Sequence, residues 1–373
     1  MTGVQTCALP ILVGYLERSN ANTHGAFPTS RETDAVIADV HGAAADLLGC
    51  GSDEVVFGQN ATSLLFAVSR AIGRTLSPGD EVVVTRLDHD ANVRPWVRMA
   101  EDAGATVRWV DLRDDDVTLD LASFDAALTE RTKVVAFTLA SNAVGSTTPA
   151  ADLARRAHAV GAIVAMDAVH ATPHRPIDVA ALGADLLACS AYKFFGPHMG
   201  VLFARREHLA AWPAYKVRPA TEALPHRWET GTQNHEGYAG TTAAIEYLAD
   251  LGEGTDRRAR LTSAMTRIAE HEARLSTRFL EGLAARPDIA LYGIADPARA
   301  AERTPTFAVR VGDEAPAATA HRLADAGIYA WDGNYYALEL MERIGLEGRG
   351  GAVRIGFAHY NTLDEVDRVL EAL

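Results

Sequence analysis

Length, composition and charge exclude several classes of protein. The chain has 373 residues, of which 48% are hydrophobic and 23% charged, a composition typical of a globular protein with a sizeable core. Its formal net charge of -14 disfavours binding to nucleic acid or anionic lipid. Because the sequence also lacks an apolar run of the roughly 18 residues that a membrane span needs, we expect neither a nucleic-acid nor a membrane partner.

The cysteines and the first residues bear on where the protein works. Cys7, Cys50 and Cys189 are too widely spaced for a disulfide framework and form no CxxC pair, which favours a reducing, cytoplasmic location. Residues 1–12 lack the basic stretch of a secretory signal. We interpret them as a non-native start, which would make Cys7 artefactual.

Seven short runs rich in β-branched residues alternate with amphipathic or alanine-rich stretches. This alternation predicts an α/β fold with a seven-stranded, mostly parallel sheet covered by helices. The predicted strands are EVVFG from Glu54, EVVVTRL from Glu81, TVRWVDL from Thr106, KVVAFTLA from Lys133, AIVAMDA from Ala162, LLACSA from Leu186 and VLFARR from Val201. Helices are predicted at ATSLLFAVSRAIG and at PAADLARRAHAVG, which Pro149 and Gly161 bound.

A change in composition around DLGEGTDRRAR predicts a domain boundary after residue 256. Residues 13–256 would form the large α/β domain. Residues 257–373 would form a smaller α+β domain that begins with an amphipathic helix from about Arg257 to Ala285. Its strands are predicted at PTFAVRV, IYAWDG and AVRIGFA, with helices after Pro316 and after Thr362.

Polar residues directly after predicted strands are candidates for ligand contacts, since ligands of open α/β sheets bind beyond the carboxyl ends of the strands. These positions hold His89, Asn142, Asp167, His170 and Lys193. Asp167 follows the buried run AIVAM, where an unpaired carboxylate is costly. It would need a protonated ring nitrogen, an arginine or the start of a helix as its partner.

The other candidates allow a functional and a structural interpretation. Lys193 suits a Schiff-base nucleophile, or it is a solvated surface lysine. His89 suits a residue that stacks on a planar ligand and moves protons, or it is a structural histidine. Asn60, Ala61 and Thr62 begin a predicted helix, where an anion such as phosphate is favoured, or they form an ordinary N-cap. No nucleotide-binding loop, HExxH or GxSxG motif is present, and we expect no metal.

A long block of the chain resembles class V aminotransferases, a family of fold type I enzymes that depend on pyridoxal phosphate (PLP), and specifically their cysteine desulfurase branch. The block is LASNAVGSTTPAADLARRAHAVGAIVAMDAVHATPHRPIDVAALGADLLACSAYKFFGPHMGVLFARR. The likeness continues through FGQNATSLLFAVSRA, LDHDANVRPW, WETGTQNHEGYAG and VRIGFAHYNTLDEVDRVL. It implies a fold type I PLP enzyme, a homodimer with active sites at the subunit interface, and a small amino-acid substrate.

The resemblance also implies a role for each candidate residue. Lys193 would form the Schiff base with PLP, Asp167 would hold the pyridine nitrogen and His89 would stack on the ring. Asn142 and His170 would bond the phenolic oxygen of the cofactor.

Further positions would hold the phosphate and the substrate. The implied phosphate contacts are Asn60, Ala61, Thr62, Ser190, Tyr192 and, from the other subunit, Thr232. Tyr192 departs from the family, because desulfurases usually have histidine there. Arg354 in VRIG would bind the substrate carboxylate, a task that suits a guanidinium group, or it makes a strand-end ion pair.

The expected activity follows with one important departure. Desulfurases carry a mobile cysteine shortly before a segment that resembles ALELMERIGL, and this chain has no cysteine there. We therefore expect a PLP enzyme that cleaves a C–S bond without the usual persulfide cysteine. Transamination and epimerisation are alternatives, as are a PLP-binding protein without turnover and a nucleotide-binding enzyme without PLP.

Overall fold

The computed structural model describes residues 5–373 and has the α/β architecture that the sequence predicts. Its helices are α1 (Gln5–Arg18), α2 (Pro28–Leu48), α3 (Ala61–Gly73), α4 (Arg94–Ala103), α5 (Leu121–Ala127), α6 (Ala150–Ala159), α7 (Val179–Leu182), α8 (Arg206–Ala211), α9 (His235–Ala249), α10 (Arg257–Ala284), α11 (Pro316–Asp325), α12 (Leu338–Arg343) and α13 (Leu363–Ala372). Its strands are β1 (Val55–Gly58), β2 (Glu81–Thr85), β3 (Thr106–Val110), β4 (Thr132–Thr138), β5 (Ile163–Asp167), β6 (Leu186–Ser190), β7 (Gly200–Ala204), β8 (Ile289–Tyr292), β9 (Thr306–Val311), β10 (Trp331–Gly333) and β11 (Ala352–Gly356).

The strands form two sheets. The larger has seven strands in the order β1-β7-β6-β5-β4-β2-β3, and the smaller has four in the order β10-β11-β9-β8. All seven predicted runs form the strands of the larger sheet. Strands β2, β6 and β7 are buried throughout, as expected for a sheet covered on both faces, whereas β3 at the edge is mostly half-exposed. The prediction of a mostly parallel seven-stranded sheet is confirmed.

The chain divides into two compact units. The first comprises the described residues up to Ser77 together with Val164–Thr266, and the second comprises Pro78–Ile163 and Arg267–Leu373. These two units do not test the domain boundary predicted after residue 256, which stays a prediction. Residues 1–4 lie outside the described residues, and so does the side chain of Cys7, so the interpretation of residues 1–12 as non-native also stays a prediction.

Strand register in the first unit sets the place of several candidate residues. β5 and β6 are parallel, with Asp167 opposite Ala188, so β6 runs two residues further before it ends at Ser190. β7 is antiparallel to both β6 and β1. Because parallel strands end at the same edge of a sheet, Asp167 and the turn after Ser190 lie on one edge.

The small sheet belongs to the second unit and has an aromatic core. Phe279 of α10 packs against Phe307 with their ring centres 4.5 Å apart, and Phe307 contacts Phe357 at 6.1 Å. β8 was not predicted, because it is only four residues long and largely half-exposed. β10 begins at Trp331 instead of Ile328, which makes it a three-residue edge strand. In the described part of the chain, no helix is long and apolar enough to cross a membrane.

Candidate active site

Asp167 is a buried carboxylate at the carboxyl end of β5. Its Oδ1 accepts a hydrogen bond of 2.7 Å from the backbone N–H of Val169. Burial raises the pKa of Asp167 to about 6, although that hydrogen bond and the positive charge of Lys193 act in the opposite direction. The carboxylate is therefore only partly compensated, and a bound cation would stabilise its ionised form.

Lys193 lies in a short helical turn, Ala191–Phe194, that directly follows β6. The turn ends at Phe195, whose φ of 74° is left-handed, and the N–H of Gly196 donates to the carbonyl of Ala191 at 2.8 Å. Lys193 Nζ lies 5.0 Å from the centre of the Tyr192 ring. The structure thus brings Lys193 to the edge of the sheet, close enough to Asp167 for its charge to affect the pKa of that residue.

The amino end of α3 carries the three residues predicted to bind an anion. Asn60 caps the helix, because its Oδ1 accepts from the N–H of Ser63 at 2.8 Å. A Cβ atom at Gly200 would overlap the backbone of Asn60, so this glycine lets β7 approach the start of the helix. Thr62 is exposed in the first turn, where backbone N–H groups and the helix dipole favour a negative charge.

Three other candidate residues of the first unit, Ser190, Tyr192 and His170, lie within a few residues of Asp167 or Lys193 in the sequence. Ser190 is buried at the end of β6. The ring of Tyr192 stacks on that of His198, with centres 5.2 Å apart, and His170 contacts His174 at the same distance in an edge-to-face arrangement. These contacts fix the orientation of the rings and leave the predicted roles of these residues untested.

The second unit holds Asn142 and Arg354 in one network with Tyr335. Asn142 Nδ2 donates to the carbonyl of Tyr335 at 2.9 Å, and Arg354 Nη1 donates to the carbonyl of Asn142 at 3.0 Å. The guanidinium carbon of Arg354 lies 4.7 Å from the centre of the Tyr335 ring. Asn142 Oδ1 is buried and has no hydrogen-bond partner among the described residues, so it suits a ligand that donates a hydrogen bond, such as a hydroxyl group.

His89, also in the second unit, has a defined tautomer. Its Nδ1 accepts a hydrogen bond of 3.0 Å from the N–H of Ala91, so the proton of the neutral ring is on Nε2. The ring stacks on Tyr336 with centres 5.5 Å apart and planes 24° apart. The N–H of Asp90 donates to the carbonyl of Tyr336 at 2.7 Å, which holds the two segments together.

Tyr335 and Tyr336 are residues that reasoning from the sequence missed. Both have left-handed backbone conformations, with φ of 56° and 58°, which are uncommon for aromatic residues. They stand directly before the segment ALELMERIGL, where the resemblance implies a cysteine in desulfurases. The turn residues Gly333 and Asn334 before them were the available signal of a tight loop.

Comparisons with known proteins agree with this architecture. A model of the family named "Aminotransferase class-V" matches residues 4–369. The chain is 34% identical to a probable cysteine desulfurase of Streptomyces coelicolor, over 98% of this chain and 87% of that protein. It is 32% identical to the aminotransferase-like protein FGM3 of Gibberella zeae, over 96% and 87%. The apo structure of a cysteine desulfurase from Thermococcus onnurineus NA1 superposes with a TM-score of 0.87 at 28% identity, covering 98% of this chain and 90% of that one.

The chain therefore belongs to the class V aminotransferase family. The fold is that of the fold type I PLP enzymes, and the chain is an enzyme of this family, as the resemblance implied. Class V aminotransferases and cysteine desulfurases depend on PLP as a group. The roles of the individual residues stay predictions.

Proposed function

We propose that this protein is a PLP-dependent enzyme that acts on a small α-amino acid, and that Lys193 is the residue that binds the cofactor covalently. The observation that carries the proposal is Lys193 beside the buried carboxylate of Asp167 in the first unit. We further propose a homodimer, located in the cytoplasm, in which Thr232 contacts the cofactor phosphate of the other subunit.

The residues present fit the cofactor. Asp167 would pair with the protonated ring nitrogen, which supplies the cation that its buried carboxylate favours. Asn60, Ala61 and Thr62, with Ser190 and Tyr192, would hold the phosphate at the start of α3. Asn142 and His170 would bond the ring hydroxyl, for which the buried Asn142 Oδ1 is an available acceptor. When bound, PLP supplies a ring that accepts the electron pair left on the α-carbon of the substrate.

Two groups would move protons. Lys193 Nζ would be the amine that removes the proton from the α-carbon of the substrate. His89 would stack on the cofactor ring. Because its Nδ1 already accepts a hydrogen bond from Ala91, its Nε2 is the atom at which a proton is held or transferred.

Arg354 would bind the substrate carboxylate through two parallel N–H groups. Its hydrogen bond to the carbonyl of Asn142 and its contact with the Tyr335 ring restrict the guanidinium group before the substrate arrives. A group that is already oriented loses less conformational entropy on binding. This would give the enzyme a preference for α-amino acids over simple amines.

Cleavage of a C–S bond is the reaction that we propose first. The reactivity of the cysteines decides which products are expected. Burial raises the pKa of Cys189 to about 12 and raises that of Cys50 as well, so neither thiol suits a sulfur acceptor. With L-cysteine, removal of the α-proton would be followed by departure of the sulfur with its electron pair. Hydrolysis then gives pyruvate, ammonia and hydrogen sulfide, which balances without an oxidant or an acceptor thiol.

Transamination and epimerisation also begin with removal of the α-proton and differ in where a proton is returned. They are the alternatives, together with a PLP-binding protein without turnover and a nucleotide-binding enzyme without PLP. The test is to incubate PLP-loaded protein with L-cysteine and with L-alanine and to measure sulfide, pyruvate, the 2-oxo acid and the D-amino acid. Sulfide with equimolar pyruvate supports C–S cleavage, whereas formation of D-alanine or consumption of an added 2-oxo acid supports one of the alternatives. Absence of every product, with the cofactor bound, would favour a protein without turnover.

A further inference from the structure

Three side chains of the first unit converge outside the residues discussed so far. One polar atom each of His41, His226 and Glu229 lies within 4.8 Å of the other two. Glu229 Oε1 lies 2.8 Å from His41 Nε2, and its Oε2 lies 3.0 Å from His226 Nδ1. His41 comes from α2 and the other two from the segment before α9, so the fold has assembled a cluster that no sequence motif announces.

The contact between His41 and Glu229 requires either a second proton or a metal ion. His41 Nδ1 lies 2.7 Å from the carbonyl of Ile37, which can only accept, so Nδ1 carries a proton. In a neutral ring, Nε2 is then an acceptor, and it faces a carboxylate oxygen, which is also an acceptor. Either a second proton or a metal ion must lie between them. Glu229 Oε1 also accepts from the N–H of Phe57 at 2.9 Å, which fixes the carboxylate in this position.

We propose that His41, His226 and Glu229 form a binding site for a divalent transition-metal ion, with zinc as the ion that suits these ligands best. Two histidines and one glutamate are a ligand set that zinc uses when a fourth position stays open. The bond from His41 Nδ1 to a backbone carbonyl is the outer contact that metal-binding histidines usually make. The proposal does not depend on PLP or on Lys193.

Metal binding would require the ligand atoms to rearrange. Tetrahedral zinc with bonds of about 2.0–2.1 Å separates neighbouring ligand atoms by roughly 3.3 Å. Glu229 Oε1 lies 2.8 Å from His41 Nε2 and its Oε2 lies 3.0 Å from His226 Nδ1, and one atom from each of the three residues lies within 4.8 Å of the other two. The side chains of His41 and Glu229 are 5% and 3% exposed, whereas that of His226 is 46% exposed and has room to shift. All three line an open pocket of about 1040 Å³, which provides entry for the ion and space for water as the fourth ligand.

An ion at this site would also affect a neighbouring segment. Thr232 follows Glu229 by three residues and lines the same pocket. Bound metal would therefore restrict the segment from His226 to Thr232. Such an ion would act on the conformation of this segment and would take no part in bond cleavage.

The experiment measures metal binding to the untagged, full-length chain after dialysis against a chelator. We expect titration calorimetry to give one Zn²⁺ per chain, and Co²⁺ in its place to give the visible absorption of a tetrahedral nitrogen–oxygen site. His226→Ala should weaken Zn²⁺ binding at least tenfold. His24→Ala, which removes an exposed histidine of the same pocket, should leave the affinity unchanged.

The second variant changes Glu229, which is buried, so the substitution must keep the size of the side chain and the folding must be checked. Glu229→Gln keeps the shape of the side chain and should also weaken Zn²⁺ binding at least tenfold, with circular dichroism unchanged. Absence of stoichiometric binding by the wild type would overturn the proposal and would leave a proton as the cation of the cluster. Binding that survives His226→Ala would overturn it too, because the ion would then be held elsewhere.

Discussion

The guanidinium group of Arg354 lies over the ring of Tyr335, with 4.7 Å between the guanidinium carbon and the ring centre. Tyr335 is buried, and its hydroxyl donates to the backbone carbonyl of Ala352 on β11, the strand that carries Arg354. The ring and the strand are therefore fixed relative to each other. A cation over an aromatic ring is stabilised by about 0.5–2 kcal/mol, depending on how far water is excluded.

Tyr335→Leu should weaken binding of the amino-acid substrate by about two- to thirtyfold, the range that corresponds to this energy. Tyr335→Phe keeps the ring and should bind the substrate about as well as the wild type. The affinity is measured by titrating the absorbance of the bound cofactor. The decarboxylated amine is the control ligand, and its affinity should be the same for the wild type and both variants. Equal weakening by both substitutions would show that the ring does not orient Arg354.

Asp167 gives a prediction about stability and pH. Its pKa in the folded protein, about 6, lies above the ordinary value of 3.8, so between these values the folded state binds more protons than the unfolded state. Without cofactor, this group therefore lowers the stability of the fold as the pH rises from about 4 to about 6. Asp167→Asn removes the effect, and the cofactor-free variant should gain up to about 3 kcal/mol at pH 7.5 and almost nothing at pH 4.

The matched control is Asp185, which is also buried but has Arg205 Nε at 3.1 Å. Asp185→Asn should destabilise the protein at pH 7.5, because it leaves the arginine without its charged partner. Both variants are compared by urea unfolding at the two pH values. Asp167→Asn should also bind PLP more weakly, so its effects on stability and on cofactor affinity have opposite signs. A cofactor-free Asp167→Asn protein that is less stable at pH 7.5 would contradict the account of this carboxylate.

The two described cysteines should not carry sulfur. A pKa of about 12 leaves Cys189 with roughly a thousandfold less thiolate at pH 8 than an ordinary cysteine, and burial acts in the same direction on Cys50. We expect slow alkylation of both by iodoacetamide in the folded protein and fast alkylation in guanidinium chloride. After turnover of L-cysteine, mass spectrometry should find no added sulfur atom on either residue. A persulfide on Cys50 or Cys189 would contradict this prediction.

Local patterns in the sequence account for most of the fold. Most of the seven runs that form the large sheet are short apolar segments rich in β-branched residues, and such segments become strands where helices cover the sheet. The same reasoning missed β8, because four residues without a clear alternation carry too little signal. It placed the start of β10 too early, because the strong strand formers Ile328 and Tyr329 lie outside the hydrogen-bonded pairing.

Candidate positions could be deduced from the sequence where a local signal marks them, such as the end of a strand or the start of a helix. Asp167 and Lys193 come directly after buried runs, so the position of each could be deduced from its own segment. The contact of Arg354 with Tyr335 depends on strand pairing in the small sheet, and the contact of His41 with Glu229 joins residues 188 positions apart. No local pattern encodes such contacts, and they emerge only from the packing of the whole unit.

The central claim is that Lys193 binds the cofactor, and the chain makes it easy to test because it contains only three lysines, Lys133, Lys193 and Lys216. Lys133 Nζ lies 3.8 Å from Asp80 Oδ1, and Lys216 Nζ donates a hydrogen bond of 2.8 Å to the carbonyl of Ala220. The measurement is peptide mass spectrometry of the PLP-loaded protein after reduction with borohydride. We predict a pyridoxyl-phosphate adduct on Lys193, its loss together with the visible absorbance in Lys193→Ala, and an unchanged adduct in Lys216→Ala. An adduct on another lysine, or a well-folded protein without any adduct, would contradict the claim.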